Sequence, residues 1–100
     1  MPNVHAGTTN ASSPATVAVG TTSVQLVAGN VDRQGLMVIN LSTSTVYLAL
    51  ANLSATLWAG IVLTPNGGAW SMDDYSYHNE AVNAVAHAAG ATVAYQEFIR

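Results

Sequence analysis

Four ionisable side chains stand close together in one polar segment of the sequence. They are Asp73, Asp74, His78 and Glu80, and hard divalent cations favour sites with several carboxylate oxygens. The spacing of these residues matches no known cation-binding loop, and short acidic patterns arise readily by chance. We therefore interpret residues 73–80 as a solvated acidic turn and predict no metal site.

No other part of the sequence offers a catalytic motif. It lacks a Gly-x-Ser-x-Gly elbow, a glycine-rich phosphate loop and a His-Glu-x-x-His pair. It contains no cysteine, so disulfides and cysteine zinc ligands are excluded. His87 lies among alanines and is predicted to be a buried, hydrogen-bonded side chain. We predict a protein that is not an enzyme, with no catalytic residue and no cofactor.

Aromatic side chains are the main candidates for binding. Trp70, Tyr75 and Tyr77 lie in and beside the acidic segment. Two interpretations are open for them: a surface on which a sugar ring stacks, or a contact with a partner chain. Aromatic residues are enriched in protein interfaces, which favours the second interpretation. Trp58, close to Gly60, is predicted to close one end of the protein core.

The composition limits the class of partner. The 100 residues suit one domain, and half of them are apolar while 7% are charged. Two arginines oppose five carboxylates, giving a net charge of −3. A nucleic-acid binder needs a basic face and an electrostatic membrane anchor needs a basic cluster, so we expect neither partner. Because so few charges leave much apolar surface, we expect a homotrimer first and a dimer second.

An uncharged run over residues 46–63 raises the question of a transmembrane helix. It has 18 residues, the minimum length for such a helix. Asn52, Ser54 and Gly60 interrupt it, its first half alternates with the period of a strand, and no basic cluster flanks it. A spanning helix is therefore only the rival interpretation, and we predict no membrane partner.

The pattern of apolar runs predicts an all-β domain. Short runs rich in Val, Thr, Ile and Leu alternate with clusters of Gly, Asn, Ser and Pro. We predict a small antiparallel β-sandwich, jelly-roll-like, of about seven or eight short strands. The predicted strands are 16–19, 22–28, 36–41, 46–51, 61–64, 69–72, 81–89 and 92–99. Residues 81–89 are interpreted as a strand that pairs with 92–99, with a helix as the alternative, and residues 52–60 as one helical turn or a loop between sheets.

Two of these strands form the best hairpin candidate. Residues 36–41 and 46–51 flank the polar connection 42–45 and are predicted to pair with each other. The amide of Asn40 is expected to tie the hairpin backbone. The period of two predicts one buried face, made of Met37, Ile39, Leu41, Val46, Leu48 and Leu50.

The first residues differ in composition from the rest. Residues 1–14 are small and polar, include two prolines and offer little apolar bulk to a core. We predict a flexible N-terminal arm over residues 1–14 and a single β-sandwich domain over residues 15–100. The predicted partner-binding residues are Asn3, Val4, His5, Trp70, Tyr75 and Tyr77.

Three segments resemble small virion proteins of tailed bacteriophages. Residues 33–42, R-Q-G-L-M-V-I-N-L-S, followed by V-Y-L at 46–48, are similar to a hairpin common in those proteins. The strand 17–22, V-A-V-G-T-T, precedes it, and the glycine-rich turn 66–68, N-G-G, precedes the last strands. The similarity is one of pattern and covers roughly residues 16–99.

The resemblance implies both a fold and a function. Such proteins are β-sandwiches, often trimeric, that bind the outside of the phage head as decoration or cement proteins, or form part of a head fibre or tail. It therefore implies a structural virion protein on the phage head exterior, made in the host cytoplasm. The implied partner is the major capsid protein or another virion protein. The alternative is a fibre or tail module that binds a host glycan or receptor.

Overall fold

The computed structural model describes residues 10–72 and 80–99. Within these residues it contains nine β-strands and no helix. The strands are β1 (Asn10–Ala11), β2 (Ala15–Val19), β3 (Val24–Val27), β4 (Arg33–Asn40), β5 (Val46–Ala49), β6 (Ile61–Leu63), β7 (Ala69–Ser71), β8 (Val82–Ala86) and β9 (Ala91–Ile99). Val, Ile, Leu, Thr and Ala supply most of their residues, and the β-branched members of this set favour the extended backbone.

The strands form two antiparallel sheets. Sheet A has the order β2–β9–β4–β7, and the short β1 pairs with the far end of β9 on the same side as β2. Sheet B has the order β3–β8–β5–β6. Except between β5 and β6, each connection from β2 onwards passes from one sheet to the other, and the result is the strand order of a jelly roll. The predicted all-β, jelly-roll-like sandwich is confirmed.

The core lies between the two sheets and is made of small and medium apolar side chains. Its buried members are Val19, Leu26, Val27, Leu36, Val38, Val46, Leu48, Leu63, Met72, Val82, Ala84, Ala86, Ala91 and Val93. Each strand from β2 to β9 overlaps one of the predicted strands, and residues 81–89 contain the strand β8. The predicted partner of that strand is wrong, since β8 lies between β3 and β5 and not beside β9.

The predicted hairpin of residues 36–41 and 46–51 is wrong. β4 pairs with β9 and β7 in sheet A, whereas β5 pairs with β6 and β8 in sheet B. The polar connection between them therefore crosses from one sheet to the other. A connection of this length suits a hairpin equally well, so its length alone does not distinguish the two arrangements.

Asn40 fixes this crossing at the end of β4. The side chain is fully buried, and its Nδ2 donates to the carbonyl oxygens of Ser44 at 2.7 Å, Leu63 at 3.1 Å and Thr64 at 3.2 Å. Its Oδ1 accepts from the backbone nitrogen of Ser42 at 2.9 Å and from the hydroxyl of the same residue at 2.7 Å. The amide ties the backbone as expected, but it joins the two sheets instead of the two strands of a hairpin.

Arg33 links the two sheets at the opposite end of β4. Its side chain is fully buried, and its Nε donates to Oε2 of Glu97 in β9 at 2.7 Å. Its two terminal nitrogens donate to the carbonyl oxygens of Glu80 at 2.8 Å and Ala28 at 2.6 Å. Ala28 follows β3 and Glu80 precedes β8, so both carbonyls belong to the ends of sheet B strands.

The buried face of β4 is the reverse of the predicted one. Leu36 and Val38 lie in the core, and the residues predicted to be buried lie on the outer side, half-buried or exposed: Met37, Ile39 and Leu41. Both faces of this strand are apolar, so the period of two does not identify the inner one. In β5 the predicted face is correct, because Val46 and Leu48 are buried in the core.

The folded domain begins earlier than predicted. Asn10–Ala11, placed in the flexible arm by the sequence, form β1 and pair with the end of β9. Ser12 donates to the carbonyl oxygen of Glu97 through both its backbone nitrogen, at 2.8 Å, and its hydroxyl, at 2.9 Å. The boundary at residue 15 is therefore corrected, and the part of the predicted arm over residues 1–9 lies outside the described residues.

The uncharged run over residues 46–63 consists of β5, a loop and β6. In the described part of the chain, no helix has the length and apolar character needed to cross a membrane. The rival interpretation of this run as a spanning helix is therefore wrong.

The reversed face of β4 gives a prediction about two neighbouring residues. Leu36 is 1% exposed and Met37 is 43% exposed. Leu36→Ala should lower the free energy of unfolding by about 2–5 kcal/mol, because it leaves a cavity in the core. Met37→Ala should lower it by less than about 1 kcal/mol. Urea unfolding of both variants measures the difference, and a larger loss for Met37→Ala would mean that the assigned face is wrong.

The buried ion pair gives a second prediction. Arg33→Met should lower the free energy of unfolding by about 3–5 kcal/mol, because the Glu97 carboxylate loses the cation that compensates its burial. Adding Glu97→Leu to the same chain should recover part of this loss, since no charge is then left unpaired. Thermal and urea unfolding of the single and double variants test this. A single variant as stable as the native chain would contradict the structural role of the pair.

Candidate functional site

A loop of residues 50–60 lies across the outer side of sheet B, between β5 and β6. The backbone nitrogen of Asn52 donates to the carbonyl of Ala81 at 2.8 Å. The buried Asn83 of β8 donates through Nδ2 to the carbonyl of Leu53 at 2.7 Å, and the backbone nitrogen of Ala55 donates to the hydroxyl of Ser23 at 2.9 Å. These bonds hold the loop against the strands β8 and β3.

The loop has an unusual backbone. Ala51, Asn52 and Trp58 have φ angles of 60°, 59° and 66°, and Gly60 has a φ of 82°. Only glycine fits at position 60, because a Cβ there would lie 2.3 Å from the carbonyl oxygen of Leu48. Left-handed residues other than glycine cost about 1–2 kcal/mol each, with asparagine the best tolerated. Such conformations concentrate at functional sites, so the loop is a candidate for one.

Under the loop lies a small second core. Tyr47, Ala55 and Val85 are buried together, with Ala49 packed against them. The hydroxyl of Tyr47 is buried and has no hydrogen-bond partner. A buried hydroxyl without a partner costs about 1–3 kcal/mol. The outer side of sheet B is therefore covered by the loop, but at the cost of one unsatisfied polar group.

Trp58 lies on the solvent side of this second core. Its ring centroid is 5.7 Å from that of Tyr47, with the planes tilted by 59°, and 5.2 Å from that of His87, with an edge-on angle of 71°. These two ring contacts set the orientation of the indole. The residue is nevertheless 76% exposed, so burial does not offset the strain of its left-handed backbone.

The loop and β6 present an apolar surface on this side of the sandwich. We name it the Trp58 patch, and its exposed residues are Leu53, Leu57, Trp58 and Val62. Together they expose on the order of 500 Å² of mostly apolar surface, a size at which patches on a monomer are often functional. The sequence has no charged residue between Arg33 and Asp73, so the patch itself is uncharged.

The outer side of sheet A carries a shallow apolar pocket of about 150 Å³. We name it the Met37 pocket, and its lining residues are Pro14, Met37, Ile39, Ala94, Tyr95 and Gln96. β9 lies between β4 and β2, so the small side chain of Ala94 leaves a hollow between Met37 and Ile39 on one side and Pro14 on the other. The pocket and the Trp58 patch therefore lie on opposite sides of the sandwich.

The charges of the described residues are gathered at one end. Arg33 and Glu97 form the buried ion pair, and Asp32 and Glu80 are exposed beside it. Within residues 10–72 and 80–99, no three His, Cys, Asp or Glu side chains stand together as a metal site would require. Within the described residues, no Asp, Glu, Lys or Arg lies on either outer sheet face, and these faces suit contacts with uncharged surfaces more than ionic ligands.

Of the predicted partner-binding residues, the structure describes Trp70 alone. Trp70 is half-buried, packs against the core and pairs with Val38 across β7 and β4. The other predicted partner-binding residues lie outside the described residues: Asn3, Val4, His5, Tyr75 and Tyr77. The same holds for Asp73, Asp74 and His78 of the acidic segment, and Glu80 is exposed.

Two predictions about the Trp58 region are wrong. Trp58 does not close an end of the core, and His87 is exposed and not buried. Trp58 lies in the uncharged, mostly apolar run 46–63, and this composition suggests burial. Residues 50–60 of that run nevertheless cover sheet B from the outside. The available signal was the combination of Asn52 and Gly60, two residue types that tolerate left-handed backbone and so mark an irregular loop.

Comparisons with known proteins relate the chain through its fold alone. No protein-family model matches it, and no curated protein matches it. A solved structure described by the words "Bacillus endospore appendages form a novel family of disulfide-linked pili" is similar, with a TM-score of 0.56 and 14% identity. The likeness covers 92% of this chain and 86% of that chain. This chain therefore shares a small β-sandwich fold with a pilus protein.

The unpartnered hydroxyl of Tyr47 gives a third prediction. Tyr47→Phe should raise the free energy of unfolding by about 1 kcal/mol, because it removes a buried polar group that makes no hydrogen bond. Tyr47→Ala is the control for the ring itself and should lower it by about 3–5 kcal/mol. Urea unfolding measures both. A loss of more than about 1 kcal/mol for Tyr47→Phe would mean that the hydroxyl has a partner in solution.

Proposed function

We propose that this protein is a non-enzymatic structural subunit of a tailed-phage virion that binds the exterior of the capsid as a decoration or cement protein. The observation that carries the proposal is the absence of charged side chains from both outer sheet faces among residues 10–72 and 80–99, combined with the exposed Trp58 patch. The centres of protein interfaces are depleted of charged residues and enriched in aromatic ones.

The way the chain uses its few charges supports a structural role. Arg33 and Glu97 form a buried ion pair where the two sheets are joined, and the exposed Asp32 and Glu80 lie at the same end. Such a surface gives little long-range attraction to an ionic substrate. The described outer faces carry no Asp, Glu, Lys or Arg, and they can be buried against other protein chains without desolvating ions.

The phage setting is supported by the sequence resemblance and by analogy of fold. Jelly rolls recur in viral capsid domains, and lectins use the same architecture. The fold is therefore compatible with a virion protein but does not distinguish it from other jelly-roll proteins. The pilus protein with a similar fold is described as part of a disulfide-linked assembly. This chain has no cysteine, so we propose an assembly held by non-covalent contacts alone.

Two finer expectations stay predictions. The first is a homotrimer, which light scattering of the purified protein would detect. The second is the alternative function, the binding of a host glycan or receptor by a fibre or tail module. Trp70, the one residue predicted for that site that the structure describes, packs against the core.

Binding to phage heads tests the proposed function. Heads assembled without the protein should bind it in a fixed ratio to the major capsid protein and become more resistant to heat. The physical reason is mass action, since a ligand of the assembled shell alone shifts the equilibrium towards that shell. Binding is measured by co-sedimentation. A protein that neither sediments with heads nor occurs in purified virions would contradict the proposal.

A further inference from the structure

We propose that Trp58 of one copy of this chain inserts into the Met37 pocket of a second copy. The proposal joins two features that fold stability does not explain. One is an exposed aromatic side chain on a strained backbone, and the other is an open apolar pocket on the opposite side of the molecule.

Trp58 has the properties of an anchor residue. Its indole projects from the outer side of sheet B, and Tyr47 and His87 hold it in one orientation. A side chain that is ordered before binding loses little conformational entropy on association. Tryptophan is also among the residues that most often dominate the affinity of an interface.

The Met37 pocket has the size and chemistry that such an anchor needs. Its volume is about 150 Å³, and an enclosed apolar cavity of about that volume in another protein holds a benzene molecule. This open pocket therefore has room for the six-membered ring of an indole. The lining is formed by apolar side chains, by Tyr95, which also packs against the core, and by Gln96, whose amide already donates to the carbonyl of Ser12 at 2.9 Å. The pocket can therefore contact an aromatic ring, and its lining contains no charged residue that would need a charged partner.

A second copy is favoured as the occupant by charge and by area. The chain has a net charge of −3, so two copies repel each other wherever their carboxylates approach. The Trp58 patch and the Met37 pocket contain no charged residue, and they can meet without bringing carboxylates into the contact. The patch alone supplies on the order of 500 Å² of the roughly 800 Å² that each partner buries in a standard interface. The rest of the outer sheet faces can supply the difference.

The positions of patch and pocket determine the type of assembly. They lie on opposite sides of the sandwich, so a copy that donates Trp58 to one neighbour still offers its own pocket to another. Such a contact is heterologous and joins copies head to tail. Two surfaces that face in opposite directions add copies in a row and do not close a ring of three. A homotrimer, where it forms, would use another surface.

Complementation between two variants tests the contact. Trp58→Asn removes the anchor and keeps a residue that tolerates left-handed backbone, and Met37→Glu places a charge in the wall of the pocket. Native protein should associate with rising concentration in sedimentation velocity runs, and each variant alone should raise the dissociation constant by about thirtyfold or more. An equimolar mixture of the two variants should form a 1:1 dimer, because one still has the pocket and the other still has the anchor.

Three controls keep the test decisive. Val31→Asn, which removes an exposed apolar side chain that belongs to neither surface, should leave association unchanged. Ala94→Ile, which fills the pocket without adding charge, should weaken association as Met37→Glu does. Circular dichroism of every variant confirms that the sandwich is folded.

The results also separate this inference from the proposed function. Native protein that stays monomeric at about 1 mM would overturn it, as would a mixture of the two variants that forms no dimer. Association of native protein, counted beyond any closed trimer, that is unaffected by Trp58→Asn would overturn it too. If Trp58→Asn abolishes binding to phage heads while self-association is unchanged, the patch faces the capsid. That result would refute the contact between copies but support the proposed function.

Discussion

Two buried polar side chains on one strand determine how the two sheets pack. Arg33 and Asn40 stand at opposite ends of β4, and each donates hydrogen bonds to main-chain carbonyls of sheet B strands or of the loops beside them. The core between the sheets is built of Val, Leu and Ala side chains, which tolerate repacking at modest cost. Repacking that leaves a buried guanidinium or amide without its hydrogen-bond partners is not tolerated in this way, since the burial of such a group costs several kcal/mol. The polar groups at the two ends of β4 therefore select one arrangement among several that the core would permit.

The same residues explain two of the sequence segments singled out above. In R-Q-G-L-M-V-I-N-L-S, the arginine and the asparagine are the two links between sheets, and Ser42 donates to the oxygen of the Asn40 amide. In N-G-G, a side chain at Gly68 would overlap the backbone of Thr64, and the carbonyl of Gly68 accepts from the nitrogen of Asn40. These positions build the jelly roll. The pattern is thus informative about the fold, and function has to be argued from the surfaces.

The fold class and most strands could be predicted from the sequence. Apolar runs with a period of two between turn residues indicate strands, whichever strand each one pairs with. Pairing partners were not predictable, since a four-residue polar connection after Leu41 fits a hairpin and a crossing equally well. The inner face of β4 was ambiguous because Leu36 and Val38 alternate with the equally apolar Met37 and Ile39. The Trp58 patch was missed for a related reason. Residues 50–60 are mostly apolar and all uncharged, which suggests burial, and only Asn52 and Gly60 signal an irregular loop.

The position of β9 has a consequence for how the chain is made. This last strand occupies the middle of sheet A, with β1 and β2 on one side and β4 on the other, and its Glu97 completes the partners of Arg33. During synthesis the N-terminal strands leave the ribosome first and have no neighbour until residues 91–99 follow. Sheet A then closes in a single late step that joins the two ends of the chain, and pairings of such large sequence separation are slow to form. Until β9 pairs, the apolar inner faces and open strand edges are accessible to other chains, and partly folded protein is exposed to aggregation.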